Sequence, residues 1–312
     1  MKRLHLSGLI AAPYTPFDSD GRLRTELVPQ LASYLVEQEV TGAFVGGTTG
    51  EWASLSTDER RGLATAWRSV AGSNLKLIVH VGHNALTDCC ELARHAESIG
   101  ADAIAALMPS FFRPAGVAQT VEYCRQIAAA APRTPFYYYH IPEMTGVEIL
   151  MKEFLPEAIR AIPTFAGIKF THYNVMDFSL TLAEAGDNYD ILFGRDEFLL
   201  AGLAMGAKGA VGSTYNYSAR MYYKMMKDFA AGRRDQAREQ QVRIQRCIVP
   251  LLKYGPLAAG KAVMGLIGLD CGGPRPPLDR VTGKVLAALK ADLEEAGFFK
   301  EAGRPAGAAA AR

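Results

Sequence analysis

The sequence predicts a (β/α)8 barrel followed by a helical extension. Three features indicate this fold: eight short apolar runs, helical patterns between them, and purely helical patterns after Asn216. The runs are almost continuously apolar, as expected for parallel strands buried on both faces. Eight strand–helix units within 312 residues suit one barrel. A doubly wound open sheet is the alternative, but it more often carries a nucleotide-binding fingerprint after its first strand, and GLIAAPYTPF carries none.

Strand and helix signals alternate along the chain. Ser56 followed by Glu59 is a capping box that opens a predicted helix ending at Val70, and Gly100 is a predicted helix stop. An earlier helix carries an apolar stripe formed by Leu27, Leu31, Tyr34 and Leu35. The eight strand runs are GLIAAPYTPF, GAFVGGTTGE, KLIVHVGH, ADAIAALMPS, PFYYYHIP, FAGIKFTH, YDILFGRDE and GAKGAVGSTYN.

We predict that the chain has three parts. The barrel covers residues 1–216, a helical extension packed on it covers 217–300, and a disordered low-complexity tail covers 301–312. The extension contains the helical segments MYYKMMKDFAAG, QQVRIQRCIVPLLKYG and RVTGKVLAALKADLEEAG. In the last segment one face carries Val281, Val285, Leu289 and Leu293, which we expect to pack on the barrel.

Composition and charge exclude several classes of function. The 34 basic and 32 acidic residues leave a net charge of +2, and the basic residues are scattered, which argues against a nucleic-acid or acidic-membrane partner. The N-terminus is a poor signal peptide, and no apolar stretch is long enough to span a membrane. Five cysteines without a CxxC pair argue against a disulfide framework or a zinc site. We therefore predict a reducing, cytoplasmic compartment.

Candidate functional residues are those at the carboxyl ends of the strands, where barrels of this kind carry their sites. They are Thr48, Thr49, Glu51, Tyr139, His140, Lys169, Thr171, Asp196, Glu197, Ser213, Thr214, Tyr215 and Asn216. His80 and His83 are three residues apart on a strand and so face opposite sides. We therefore predict no shared metal there.

Lys169 stands out because it is a single lysine in the otherwise apolar run FAGIKFTH. Desolvation lowers the pKa of a lysine and frees the neutral amine as a nucleophile, typically for Schiff-base formation with a ketone or aldehyde. The alternative is a structural lysine paired with a carboxylate such as Asp196. Tyr139, at the end of the preceding strand, is placed to move a proton beside that amine. At least one of the three tyrosines in FYYYH must only pack, so a packing role for Tyr139 stays open.

Two further groups of polar residues suggest how a substrate is held. Asp196 and Glu197 are adjacent and cannot both point the same way in an extended segment, which suits hydroxyl recognition better than a glycosidase pair. Glu197 could equally cap the helix that follows. The turn GGTTGE lacks the Gly-Lys-Ser/Thr ending of a phosphate loop but offers N–H groups and the hydroxyls of Thr48 and Thr49 to a smaller anion.

In this order, GGTTGE, YYYHIP, GIKFT and GAVGSTYN resemble the N-acetylneuraminate lyase and dihydrodipicolinate synthase superfamily of class I pyruvate aldolases. The resemblance covers about residues 6–278, and YYYHIP, ILFGRDE and VGSTYNY are more similar to the lyase branch. It implies a homotetramer without a cofactor, in which Lys169 forms a Schiff base with a 2-keto acid and Tyr139 moves protons. Thr48 and Thr49 would bind the carboxylate. In the lyase branch, the positions that hold the sugar hydroxyls match Thr171, Gly194, Asp196, Glu197 and Ser213.

Three positions depart from the patterns of the superfamily. Synthases carry an arginine after "IP" to hold a second carboxylate, and here that segment is Glu143-Met144. Synthases also place an interface tyrosine after the fourth strand, where this chain has Phe111 and Phe112. Both departures point away from a synthase. Trp52 replaces the small residue that is more usual in the lyases, so the pocket could be narrowed or repacked there.

The predicted function is therefore the reversible cleavage of N-acetylneuraminate into N-acetylmannosamine and pyruvate. The same chemistry on another 2-keto-3-deoxy sugar acid, by an aldolase or a dehydratase, is the first alternative. Dihydrodipicolinate synthesis is a further alternative, and a catalytically silent ligand-binding homologue is one from another class. Retention of both Lys169 and Tyr139 argues against the silent homologue.

Overall fold

A computed structural model describes residues 4–302 of the chain. The eight predicted strands form a closed parallel barrel in sequence order, and β1 pairs with β8 to close it. This confirms the predicted (β/α)8 fold. The strands are β1 (Gly8–Ala11), β2 (Gly42–Val45), β3 (Lys76–His80), β4 (Ala103–Ala106), β5 (Phe136–His140), β6 (Phe165–Phe170), β7 (Asp190–Phe193) and β8 (Gly209–Gly212).

Helices surround the barrel and continue beyond it. The predicted capping box is present, since the Ser56 hydroxyl accepts from the Glu59 N–H and the Glu59 carboxylate accepts from the Ser56 N–H. Short 3₁₀ turns cover Thr25–Leu27, Trp52–Ser54 and Asp196–Phe198. The α-helices are α1 (Val28–Glu37), α2 (Thr57–Val70), α3 (Leu86–Ser98), α4 (Val117–Ala129), α5 (Pro142–Thr145), α6 (Met151–Ala161), α7 (Val175–Ala185), α8 (Leu199–Ala204), α9 (Tyr215–Ala230), α10 (Arg234–Lys253), α11 (Pro256–Leu266), α12 (Gly283–Glu295) and α13 (Phe298–Glu301).

Successive side chains of each strand point alternately into the barrel interior and toward the surrounding helices. Tyr137 and Tyr139 of β5 belong to the interior cluster together with Phe44. Tyr138 belongs to the outer cluster, where its ring centroid lies 4.5 Å from that of Phe154. Tyr138 is thus a packing tyrosine of FYYYH, and Tyr139 faces the interior.

The extension differs in detail from its prediction. The predicted boundary at residue 216 falls at the start of α9, which packs on β1 and β8, and the division of the chain there stays a prediction. On α12, Leu289 and Leu293 are fully buried, but Val285 is 46% exposed. The helix α11 was not predicted from the sequence. Of the predicted tail, residues 303–312 lie outside the described residues. No helix within residues 4–302 is long and apolar enough to cross a membrane.

Candidate active site

A cavity of about 740 Å³ lies at the carboxyl ends of the strands. Loops of the barrel form part of its wall, and the extension contributes the rest. Its lining includes Thr48, Thr49, Trp52 and Ser213 from the barrel, and Tyr254, Leu257, Leu278 and Asp279 from the extension. A second cavity, of about 700 Å³, is lined by none of the predicted site residues. The first cavity is therefore the candidate site, since active sites of this fold lie at that end of the barrel.

Lys169 lies inside the barrel near the end of β6, in register with Tyr139 of β5. It is 4% exposed, and its Nζ lies 3.9 Å from the ring centroid of Tyr139 and 4.0 Å from that of Phe44. Burial lowers the pKa of Lys169 to about 7, while the negative charge of Asp196 acts in the opposite direction. The amine therefore becomes neutral, and nucleophilic, near neutral pH.

Asp196 has other partners than the lysine. Its Oδ2 accepts hydrogen bonds from the backbone N–H of Thr214 at 2.8 Å and from the Thr214 hydroxyl at 2.7 Å. The Thr214 hydroxyl also shares a 2.7 Å hydrogen bond with the Tyr222 hydroxyl. Asp196 is thereby fixed beside the start of α9. The alternative interpretation of Lys169, as the structural partner of this carboxylate, has no direct ion pair to support it.

Tyr139 connects the lysine to the turn after β2. Its hydroxyl shares a 3.1 Å hydrogen bond with the hydroxyl of Thr48. Burial raises the pKa of Tyr139 to about 12, although the hydrogen bond to Thr48 opposes this effect. The phenol is therefore protonated at neutral pH and has a neighbouring hydroxyl with which to exchange a proton.

The turn over residues 46–51 has the features of an anion cradle. Gly46 has a φ of +65°, a left-handed conformation that glycine adopts without strain. The Glu51 N–H donates to the Thr48 carbonyl at 3.0 Å and closes the turn. The backbone N–H groups of Thr48 and Thr49 donate to no backbone acceptor within residues 4–302. Free N–H groups and two hydroxyls beside the cavity suit a carboxylate.

Thr171 and Gly194 meet at the ends of β6 and β7. A Cβ on residue 194 would lie 2.0 Å from the Thr171 Oγ1, so only glycine allows this approach. The buried Thr171 hydroxyl makes no well-formed hydrogen bond within the described part of the chain, although it lies near enough to the Tyr139 phenol to act on the pKa of that group. A buried hydroxyl without a partner is costly, and it is suited to bind a substrate hydroxyl.

Asp196 and Glu197 lie in a 3₁₀ turn rather than in an extended segment. Burial, together with the charge of Asp196, raises the pKa of Glu197 to about 7. The N-cap of α8 is Phe198, which makes no side-chain cap, and Glu197 Oε1 lies 3.5 Å from Arg195 Nη1. Glu197 is therefore available as a hydrogen-bond donor or acceptor near neutral pH, while Ser213 lines the neighbouring wall of the cavity.

A rim of charged residues, not predicted from the sequence, borders the site. Arg195 Nη2 lies 2.7 Å from Glu143 Oε1, which is also 3.0 Å from His172 Nδ1. The Arg195 guanidinium carbon lies 3.9 Å from the ring centroid of Tyr173. These side chains join the loops that follow β5, β6 and β7. These contacts could not be predicted from the local sequence, because each residue resembles an ordinary charged or aromatic loop residue.

The histidines of the region have separate surroundings. His140, a strand-end candidate, packs in the outer layer 5.0 Å from the Phe170 ring centroid, and burial lowers its pKa to about 3. His80 is 2.8 Å from the Gly46 carbonyl, to which its Nδ1–H donates. His83 Nδ1 accepts from the Ala85 N–H at 3.0 Å. Among residues 4–302 no group of three or more His, Cys, Asp or Glu is arranged to hold a metal ion.

The three departures lie around the cavity. Trp52 lines it and packs 5.7 Å from the His80 ring centroid. Met144 lines it as well and is 63% exposed. Phe111 and Phe112 are 80% and 84% exposed and contact each other edge to face. The first two shape the cavity, and the phenylalanine pair is an exposed apolar patch near its edge.

The sequence and the fold are similar to those of known proteins. The family described as "Dihydrodipicolinate synthetase family" matches residues 5–296. The chain belongs to this family. It is 42% identical to N-acetylneuraminate lyase of Mus musculus over 94% of this chain and 93% of that protein.

Two solved structures are similar to this chain over nearly its whole length. N-acetylneuraminate lyase of Proteus mirabilis superposes with a TM-score of 0.92 at 43% identity, covering 94% of this chain and 99% of that one. A Ruminococcus gnavus sialic acid aldolase, described as a catalytic lysine mutant, superposes with a TM-score of 0.87 at 32% identity over 93% and 96% of the two chains.

The pKa of Lys169 predicts how the rate of reaction of its amine depends on pH. Reductive methylation by formaldehyde and cyanoborohydride requires the neutral amine, whose fraction rises as pH increases through the pKa. We expect the initial rate at Lys169 to level off above about pH 7, as its pKa of about 7 requires. Exposed lysines, with pKa values near 10.4, should continue to gain about tenfold per pH unit.

Peptide mass spectrometry after short reaction times measures both rates in one sample. The exposed lysines of the same chain serve as internal standards. A Lys169 rate that rises in parallel with theirs up to pH 9 would contradict the assigned desolvation.

Proposed function

We propose that the protein is a class I aldolase that cleaves N-acetylneuraminate reversibly to N-acetylmannosamine and pyruvate through a Schiff base on Lys169. The observation that carries this proposal is the buried amine between Phe44 and Tyr139, with a pKa of about 7. The relatives above are N-acetylneuraminate lyases and a sialic acid aldolase, and their names support the choice of substrate. The lysine named as catalytic in one of them supports the choice of nucleophile.

The proposed reaction begins with the open-chain keto acid. Thr48 and Thr49 bind its carboxylate, which places the C2 carbonyl beside the Lys169 amine. The neutral amine adds to C2, and loss of water leaves a protonated imine. The Thr48–Tyr139 hydrogen bond of 3.1 Å links the carboxylate site to the phenol that exchanges protons near this carbon.

Cleavage follows from the positive charge of the imine. The bond between C3 and C4 breaks, and its electron pair moves toward the iminium nitrogen to form an enamine. The proton of the C4 hydroxyl leaves, with Tyr139 as its conduit, and an aldehyde is released. Protonation of the enamine at C3 and hydrolysis then yield pyruvate and free Lys169. No cofactor is required, because the iminium provides the polarisation that a metal ion would otherwise supply.

The sugar tail is proposed to lie against the ends of β6, β7 and β8. The unpartnered hydroxyl of Thr171 and the close approach at Gly194 support a polar contact there. Glu197, with a pKa of about 7, is suited either to accept or to donate a hydrogen bond. The remaining proposed contacts of the tail are Asp196 and Ser213.

A second candidate is the same chemistry on another 2-keto-3-deoxy sugar acid. The place of Trp52 in the cavity wall favours it, because an indole there changes the space open to the tail. Dihydrodipicolinate synthesis is less well supported. Met144, where the synthases carry their arginine, has no charge with which to hold a second carboxylate.

Pyruvate release from a panel of substrates tests the proposed activity. The panel contains N-acetylneuraminate, its 5-hydroxy analogue without the acetamido group, and shorter 2-keto-3-deoxy sugar acids. We expect the highest kcat/KM with N-acetylneuraminate, and Lys169→Ala should lower it by at least about 10³-fold because the nucleophile is lost. Tyr139→Phe should lower it by about 10²-fold or more, as proton transfer is impaired.

The matched control is Lys208→Ala, since Lys208 is a lysine whose side chain is 72% exposed. Borohydride with pyruvate should reduce a covalent adduct onto Lys169 in the wild type and in this control. Activity retained in Lys169→Ala would overturn the mechanism. A higher kcat/KM with a shorter sugar acid would replace the substrate but keep the chemistry, and trapping without turnover on the whole panel would favour a ligand-binding homologue.

We further propose a homotetramer. The exposed pair Phe111 and Phe112 supports an interface near the cavity, because adjacent exposed phenylalanines mark association sites. Sedimentation equilibrium should give about four times the chain mass of 33.8 kDa. Phe111→Ser/Phe112→Ser should shift the species to a smaller mass, and an unchanged mass would remove this pair from the interface.

A cytoplasmic location is proposed on the basis of the thiols. Cys89, Cys90, Cys124, Cys247 and Cys271 are all free. Free thiols in this number are typical of proteins in reducing compartments.

A further inference from the structure

A buried ion pair joins the turn over residues 46–51 to the helical extension. Lys261 of α11 lies with its Nζ 2.6 Å from Glu51 Oε1, and both side chains are 1% exposed. The backbone N–H of Arg275 donates to the other carboxylate oxygen of Glu51 at 2.9 Å. Two segments more than 200 residues away in sequence thus hold the last residue of this turn.

Glu51 has a φ of +57°, a left-handed conformation that is strained for a residue with a side chain. In this conformation its N–H donates to the Thr48 carbonyl at 3.0 Å, and its carbonyl accepts from the Ser54 N–H at 2.8 Å. The anchored carboxylate therefore holds a strained residue that closes the loop around Thr48 and Thr49. Such strain persists only where the surroundings over-determine it.

Further hydrogen bonds hold the same loop and the residues that anchor it. Arg275 Nη1 donates to the Ser54 carbonyl at 2.6 Å and to Glu59 Oε2 at 2.8 Å. At the other end of the loop, the His80 Nδ1–H donates to the Gly46 carbonyl at 2.8 Å. Lys261 itself donates to the Gly273 carbonyl at 3.1 Å. The loop is thus fixed at both ends, and the extension provides the charged anchor.

The need for stability alone does not explain a charged anchor here. Removing two charges from water is costly, and replacing a buried ion pair by neutral groups of similar volume often leaves stability unchanged or improved. The pair instead specifies one conformation, because a carboxylate held by an ammonium and an N–H has little freedom to turn. Specificity of conformation matters where a loop must present two N–H groups and two hydroxyls to one ligand.

We propose that Lys261 and Glu51 are positioning residues that hold the Thr48–Thr49 turn in the geometry that binds the substrate carboxylate. This inference rests on the proposed function of Lys169 and of the turn. The extension thereby acts on substrate binding through Lys261 and the loop, and neither Lys261 nor Glu51 contacts the reacting atoms.

Two ketones separate carboxylate binding from general damage to the site. Pyruvate carries the carboxylate, and acetone has the same ketone without it. Cyanoborohydride reduces the Schiff base of either compound on Lys169, and peptide mass spectrometry measures the rate of adduct formation at Lys169 separately from that at exposed lysines. The variants are Lys261→Met and the double variant Glu51→Gln/Lys261→Met, with Lys208→Met as the matched control on an exposed lysine.

We expect both variants to raise the half-saturating pyruvate concentration by tenfold or more, which corresponds to about 1.4 kcal/mol. The rate with acetone should stay within twofold of wild type, and Lys208→Met should change neither value. Lys261→Met leaves a buried carboxylate without its partner, so it destabilises the fold more than the double variant does. The double variant removes both charges, so it provides the test if the single variant does not fold.

The inference is overturned if the double variant folds and binds pyruvate as the wild type does. A loss that is equal for pyruvate and acetone would also overturn it, because the defect would then lie at Lys169 and not at the carboxylate site. If the wild type itself forms no pyruvate adduct, the proposed function fails instead. The two failures are therefore distinguishable.

Discussion

The enclosure of the Lys169 amine between the rings of Phe44 and Tyr139, at 4.0 and 3.9 Å, is the interaction on which the rest of the site depends. Removing the amine from water favours its neutral form, and a neutral amine is what a Schiff base requires. Each other feature acts around this point. In the proposed mechanism, the turn after β2 orients a carboxylate toward it, and Tyr139 exchanges protons beside it. The ends of β6 to β8 are proposed to offer polar groups to the remainder of the substrate.

The barrel encloses the amine because two features act together. Side-chain alternation points Tyr139 and Lys169 into the interior, and the strand register places them side by side. Side chains alternate along β5, so Tyr138 packs outward while Tyr139 faces the lysine of the neighbouring strand. A shift of one residue in the pairing would turn Lys169 toward the helices and away from the rings of Phe44 and Tyr139. The extension then completes the cavity and anchors the loop that we propose binds the carboxylate. Catalysis in this account therefore depends on parts of the chain that carry no reacting group.

Much of this arrangement could be predicted from the sequence, because it is encoded locally. Apolar runs specify buried strands, and polar residues at their ends specify which side chains meet at one end of a barrel. The remainder depends on contacts between distant segments. Nothing near Lys261 indicates that it meets Glu51, which lies 210 positions earlier, and α11 itself was not predicted. The Arg195–Glu143–His172 rim and the role of Asp196 beside Thr214 likewise require the three-dimensional packing of several loops.

The central claim concerns the ionisation of one nitrogen, and it can be measured at that nitrogen. An NMR titration of protein labelled with ¹⁵N at lysine side chains, with Lys169→Arg used to assign the resonance, reports the pKa of Lys169 directly. We predict a midpoint of about 7, set by burial between the two rings. A midpoint near 10.4, the ordinary value for lysine, would show that the amine is charged at neutral pH and would contradict the account.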